Sequence, residues 1–227
     1  MEDTLLSEGK CIYCKEVLQQ NSIVKHLAKH LADFEKGKPS ESEEVYHLNI
    51  KAAEMFLQVL VKGTASFKTL DTFLRKIWVE CCDHMSDFHH KNFKIRMSEK
   101  FDMILTPKLK FEYTYDYGST TSFSLQVCGS YRISQKENVL LLSRNEPLKI
   151  VCRSCNKKPA TFICTVHMYE TDECFFCDKC ASKHEEECDD FLDYAKMPVV
   201  NSPRMGICGY TGGSIDAERD GVYIGKI

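Results

Sequence analysis

The spacing of apolar residues changes period several times along the chain, and each change predicts an element. Tyr46–Ile50 and Phe56–Val61 are short runs rich in β-branched and aromatic residues, the second closed by Gly63, and they predict two strands. Leu70, Phe73, Leu74, Ile77 and Trp78 then recur at three and four, which predicts an amphipathic helix over Ser66–Cys81 packing on a sheet. Further strands are expected at Phe93–Met97, Lys110–Tyr115, Ser122–Val127 and Val139–Leu142. Strands, one main packed helix and more strands give an α+β class with an antiparallel sheet.

Two stretches break this pattern. DFEKGKPSESEE, residues 33–44, is charged, carries Gly, Pro and Ser, and reads as a linker. The tail from Met197 onward holds two prolines and six glycines and predicts irregular backbone. The chain is therefore expected to divide into a small N-terminal module at 1–34, a linker at 35–45, an α+β core at 46–150, a Cys/His-rich module at 151–190 and a tail at 191–227. The 227 residues are 43% hydrophobic and 28% charged, which places them with globular proteins and excludes wholesale disorder. A net charge of -3 gives no global attraction to nucleic acid or anionic lipid, so any phosphate binding needs a local patch. No apolar run approaches the roughly 20 residues that span a bilayer, and the polar start Met1–Lys10 lacks the regions of a secretory signal. The expectation is a cytoplasmic protein without membrane association.

The 13 cysteines alter this picture. In a reducing compartment disulfides do not persist, so such an excess points to metal or reactive thiols. Residues 11–30 read CIYCKEVLQQNSIVKHLAKH, in which Cys11 and Cys14 precede His26 and His30. Two thiolates on a tight turn and two imidazoles at i and i+4 on one helical face close a tetrahedron around zinc. Asn21 or Ser22 is expected to cap that helix, with Leu18, Ile23 and Leu27 packing beneath it. A segment this short, taken alone, has no core to hold it without metal.

Residues 152–188 supply four more ligand pairs: Cys152/Cys155, Cys164/His167, Cys177/Cys180 and His184/Cys188. Pairs in series suit a cross-brace, the first and third sharing one zinc and the second and fourth another, so that about forty residues fold around ions. Cys174 is the odd member and leaves the partition between Cys174 and Cys177 open, with Cys208 a reserve ligand. The expected total is about three zinc ions per chain. Around this module six basic residues face nine acidic ones, which disfavours phosphate binding there.

Other polar groups carry weaker signals. His84, Asp87, His89 and His90 stand close together after the helix, as a metal or acid–base cluster would, but the adjacent His89 and His90 are expected to point in different directions. Asp116, Tyr117 and Gly118 read as a structural turn. Cys81 and Cys82 close an apolar helix face and read as buried small hydrophobes.

The run VYHLNIKAAEMFLQVLVKGTASFKTLDTFLRKIWVECCDHMSDF, followed by FEYTYDYGSTTSF, resembles the plasmid ORF-3-like family, also labelled insertion-element passenger or TnpR-like. The resemblance covers residues 46 to about 130, and PVVNSPRMGICGYTG in the tail is similar to the ending of one subgroup. It implies the α+β fold and a bacterial or archaeal, mobile-element setting. Together these readings favour a zinc-binding, non-enzymatic interaction protein with a protein partner. A nucleic-acid-binding regulator using the finger and the sheet surface is the alternative. A hydrolytic enzyme would need the His84/Asp87 cluster or the Tyr115–Ser119 turn.

Overall fold

The computed structural model describes residues 7–37, 41–171 and 173–220. The start of the predicted finger module, the middle of the predicted linker and the last seven residues of the tail lie outside these described residues. The chain forms two compact units, Met1–Arg75 with His84–Glu146, and Lys76–Asp83 with Pro147–Ile227.

The first unit is built on a seven-stranded antiparallel sheet, the α+β arrangement expected from the strand and helix periods. Its strands are β3 (Glu43–Ala52), β4 (Met55–Lys62), β5 (Ser86–His90), β6 (Phe93–Ile95), β7 (Lys110–Tyr115), β8 (Thr121–Ile133) and β9 (Val139–Arg144), in the order β6-β5-β7-β8-β3-β4-β9. The short pair β1 (Glu8–Lys10) and β2 (Val17–Gln19) leads into helix α1 (Gln20–Lys36). Helix α2 (Phe67–Leu74) and the one-turn α3 (Phe101–Ile104) complete the unit. The charged stretch expected to be a linker is shorter than its composition suggested, because α1 runs to Lys36 and β3 begins at Glu43.

β3 and β4 are buried along almost their whole length, with an eight-residue register from Val45↔Lys62 to Ala52↔Met55. Ile23, Leu27 and Leu31 of α1, spaced by four, are fully buried in one cluster with Val45, Phe56, Leu60 and Leu142 of the sheet. The N-terminal module therefore shares the core of the sheet and does not depend on metal alone for its packing, contrary to the expectation from its length. Gly9 permits this close approach: a Cβ there would lie 2.5 Å from Phe56 Cζ and 2.7 Å from the Arg144 carbonyl oxygen. The expected cap is also revised, since α1 starts after Gln19 without any side-chain cap.

The predicted long helix is two pieces. Ordinary α-helix ends at Leu74, a wider π-type turn covers Arg75–Val79, and helical structure stops before Cys81. Phe67 packs its ring on Phe88, Phe101 and Phe111 at centroid distances of 5.1, 4.7 and 5.8 Å. Asp71, fully buried, accepts hydrogen bonds from Lys68, Arg75, Ser86 and Tyr113, tying the helix to β5 and β7. Strand β5 was not anticipated, because SDFHH carries one apolar residue and no alternation to mark it.

A polar chain runs through the buried middle of the sheet. His47 donates from Nε2 to Gln58 Oε1 at 2.7 Å, and Gln58 Nε2 donates to Asn49 Oδ1 at 2.7 Å. Burial pushes the His47 imidazole down from 6.5 to about 4, only partly offset by the bond to Gln58. The unfolded chain thus binds this proton more readily than the folded one. The related stability is complete above about pH 6.5 and is lost as pH falls toward 4, by about 3 kcal/mol. His47→Leu should flatten that part of the pH profile. Chemical denaturation of both proteins at pH 7 and pH 4.5 checks this, and equal losses for the two would contradict it.

The second unit contains β10 (Phe162–Cys164), β11 (Phe175–Phe176), helix α4 (Asp178–His184) and β12 (Lys196–Pro198), with strand order β11-β10-β12. The start of the tail is therefore strand, pairing Met197 with Ile163, and irregular backbone begins beyond it. Among the described residues no helix is long and apolar enough to cross a membrane.

Candidate metal centres

In the first unit, the C-x-x-C turn reverses the chain after β1. Lys15 takes φ 65°, and its amide donates to the Cys11 carbonyl oxygen at 3.0 Å. This turn aims both sulfurs at the face of α1 carrying His26 and His30, one turn apart. Cys14 Sγ lies 3.1 Å from His26 Nε2, and the two histidine Nε2 atoms are 3.2 Å apart. A zinc tetrahedron with Zn–N of about 2.0–2.1 Å has an N···N edge of roughly 3.4 Å, so these separations are those of ligands around one ion. All four ligand atoms of Cys11, Cys14, His26 and His30 lie within 4.8 Å of one another. Glu16 faces Nδ1 of His26 at 3.7 Å, a carboxylate placed to orient the ring and keep Nε2 directed at the metal position.

In the second unit, eight residues form two interleaved sets: Cys152, Cys155, Cys177 and Cys180, then Cys164, His167, His184 and Cys188. This is the cross-brace order expected from the serial pairs. The first knuckle repeats the finger turn, with Asn156 at φ 52° and its amide donating to the Cys152 carbonyl oxygen at 2.9 Å. Amide groups of Lys157 and Lys158 hold the Cys155 thiol down at about 6, so this ligand is a thiolate at neutral pH. Cys155 and Cys177 sulfurs are 3.9 Å apart, close to the roughly 3.8 Å edge of a zinc–thiolate tetrahedron and far beyond a disulfide's about 2.05 Å.

Helix α4 braces both sets. Cys177 stands at its N-terminus and Cys180 in its first turn, while His184 closes its last turn. Cys164 Sγ lies 3.2 Å from His167 Nδ1 in the second set. His184 Nε2 is buried without a hydrogen-bond partner, while Nδ1 faces Glu187 at 3.9 Å. Burial, with His167 beside it, moves the His184 imidazole down and keeps it neutral, the form that ligates. An orphaned buried imidazole nitrogen beside two thiols and a second histidine is the donor set of a thiophilic cation. Cys174 is outside both sets and packs with Ile163 and Met197, so Cys177 is the residue that joins Cys180.

The other candidates are arranged differently from the expectation. Asp87 and His89 lie on one face of β5, His89 Nδ1 2.9 Å from the carboxylate, while His90 Nδ1 sits 2.7 Å from the Lys110 carbonyl oxygen. His84 Nδ1 lies 3.6 Å from Asp116. The strand's two-residue alternation thus turns the adjacent His89 and His90 in different directions, as their adjacency implies. The turn after β7 is structural: Asp116 itself takes φ 62° and accepts from the Gly118 amide at 2.8 Å, and Tyr117 donates to Asp87. Cys82 is exposed and Cys81 half-buried, not the buried hydrophobes that a continued helix would have made of them.

These observations define an α+β protein with a large antiparallel sheet and Cys/His groups that can hold metal ions. No family model matches the chain, and no curated protein matches it. Among solved structures, one similar chain is the protein of unknown function MM3350 from Methanosarcina mazei Go1. It shares 13% identity at a TM-score of 0.43, over 69% of this chain and 95% of that one.

Proposed function

We propose that this chain is a zinc-binding, non-enzymatic interaction protein holding three zinc ions at the finger and the cross-brace, in the plasmid or mobile-element setting that its resemblance to the plasmid ORF-3-like family suggests. The observation that carries this reading is ligand count. Each of the three sets supplies four Cys/His donors, so none leaves a coordination position for a reacting water. Such ions brace a surface, and the acidic surround of the second unit favours a protein partner over phosphate.

The test is elemental analysis with cobalt substitution. His30→Ala should remove one ion, whereas Cys152→Ser should release both ions of the cross-brace with the fold that they hold. The cobalt spectrum should not change when azide is added, because closed sites have no place for an anion. An azide-dependent shift at any of the three would overturn the reading.

One feature favours the nucleic-acid alternative. A cleft of about 770 Å³ on the first unit is lined by Lys51, Lys91, Lys108 and Lys110 with His90, against Glu112. If it tracks a phosphate backbone, affinity for single-stranded DNA should fall with salt at a log–log slope of about -0.7 per phosphate contacted. Lys51→Ala/Lys108→Ala/Lys110→Ala should make that slope shallower by about 2. Binding that is absent, or unchanged by the triple substitution, removes this alternative.

A further inference from the structure

Within the second unit, three sulfurs from distant parts of the sequence meet. Cys81 and Cys82 follow the π-type turn Arg75–Val79, and Cys208 lies in the tail, yet their Sγ atoms are within 4.8 Å of one another. Cys82 and Cys208 are 3.6 Å apart. That is close to the roughly 3.8 Å edge expected between thiolates on one zinc ion and well beyond a bonded disulfide at about 2.05 Å.

The surrounding fold holds this meeting in place. Ser202 Oγ donates to the Trp78 carbonyl oxygen at 2.6 Å, and the Ser214 amide donates to the Lys76 carbonyl oxygen at 2.7 Å. Both anchor the tail to the segment carrying Cys81 and Cys82. Between those anchors Cys208 adopts φ 52°, flanked by Gly206 at φ 74° and Gly209 at φ 67°. A left-handed cysteine is an uncommon backbone state, retained where the surrounding structure compensates for it.

Charge points the same way. Arg204 is fully buried, and its guanidinium lies 3.6 Å from the Cys81 sulfur. Three thiolates on Zn(II) carry a net charge of -1, and a guanidinium beside them is favourable to that charge.

We infer that Cys81, Cys82 and Cys208 form an additional site for a thiophilic divalent cation of the zinc class. The site is independent of the finger and the cross-brace, and its failure would leave those three standing.

The experiment uses the full chain purified without chelator. Elemental analysis should give four zinc ions per chain, falling to three in Cys82→Ser/Cys208→Ser. Because the double variant could misfold, alkylation of the unaltered protein provides a second readout. Cys82 and Cys208 are exposed in the fold, yet they should resist limiting iodoacetamide until a chelator is added, and mass spectrometry locates the modified sites. Three ions in the unaltered chain, with Cys82 and Cys208 alkylated before chelation, would overturn the inference. So would a Cys82–Cys208 disulfide in freshly purified, air-free protein.

Discussion

Chelation of metal, or Cys152→Ser, is expected to unfold the second unit and leave the seven-stranded sheet intact. The apolar cluster around the cross-brace consists of Cys152, Cys164, Cys177, Cys180 and Cys188 with Phe176, Ala181, Phe191 and Ala195. More than half of that core is ligand sulfur, so the ions and the core are the same structure. The strands that frame it are only two or three residues long. Without cations the sulfurs and the His184 imidazole would be crowded together with no counter-charge. Structural zinc in small domains supplies about 10–16 kcal/mol of apparent folding free energy at neutral pH, more than a unit of this size stores in apolar burial.

Hydrogen exchange before and after chelation checks the expectation. Protection in β10, β11 and α4 should vanish, while β3, β4 and β8 keep theirs. The finger should behave differently, because Ile23, Leu27 and Leu31 remain docked on the sheet. His30→Ala should release its ion and loosen the Cys11–Cys14 turn, with α1 still protected. Retained protection across residues 152–188 in metal-free protein would refute the argument.

Asp71→Ala should cost the first unit about 3–5 kcal/mol, the range for removing one partner of a buried ion pair. The Asp71 carboxylate is fully buried and receives Ser86 Oγ at 2.6 Å, Tyr113 Oη at 2.9 Å, Lys68 Nζ at 2.8 Å and Arg75 Nε at 3.2 Å. Burial alone would raise its pKa. The donors from Lys68, Ser86 and Tyr113, with the Arg75 charge, outweigh it and hold the carboxyl below its ordinary value. The associated stability is therefore present above the usual aspartate range and is lost only as pH falls through the lower, folded value.

Truncation to alanine leaves Arg75, whose side chain is 13% exposed, without this anion, and leaves the Tyr113 hydroxyl buried. Asp71→Asn keeps the shape but removes the charge, and should fall between the parent and alanine. The opening free energy of β7 and β8 from hydrogen exchange measures both changes. A loss under about 1 kcal/mol for alanine would mean that water replaces the carboxylate, contrary to its burial.

Much of this architecture can be read from local pattern. The alternation in KFEYTY marks β7 at its observed bounds, and the β-rich runs Tyr46–Ile50 and Phe56–Val61 mark the middles of β3 and β4, which extend beyond them to Glu43–Ala52 and Met55–Lys62. The three four-ligand sets follow from pair spacing, since C-x-x-C and H-x-x-x-H each fix two donors on one turn whatever the remainder of the chain does. Strand β5 escaped because a polar strand carries no hydrophobic period. The helix end was misplaced because the π-type turn keeps Ile77 and Trp78 apolar and buried after α-helical geometry has ended.

Sequence alone determined the sheet-forming segments, the amphipathic face of α1 and the serial ligand pairs, because these depend on neighbours a few residues apart. Tertiary structure decided what each is packed against. It seated the finger helix on the sheet and chose Cys177 over Cys174. It also gathered Cys81, Cys82 and Cys208, which are 126 positions apart between the last two and share no spacing that sequence could register. Their meeting depends on the tail anchoring to Lys76 and Trp78, a long-range closure that exists only once the chain has folded.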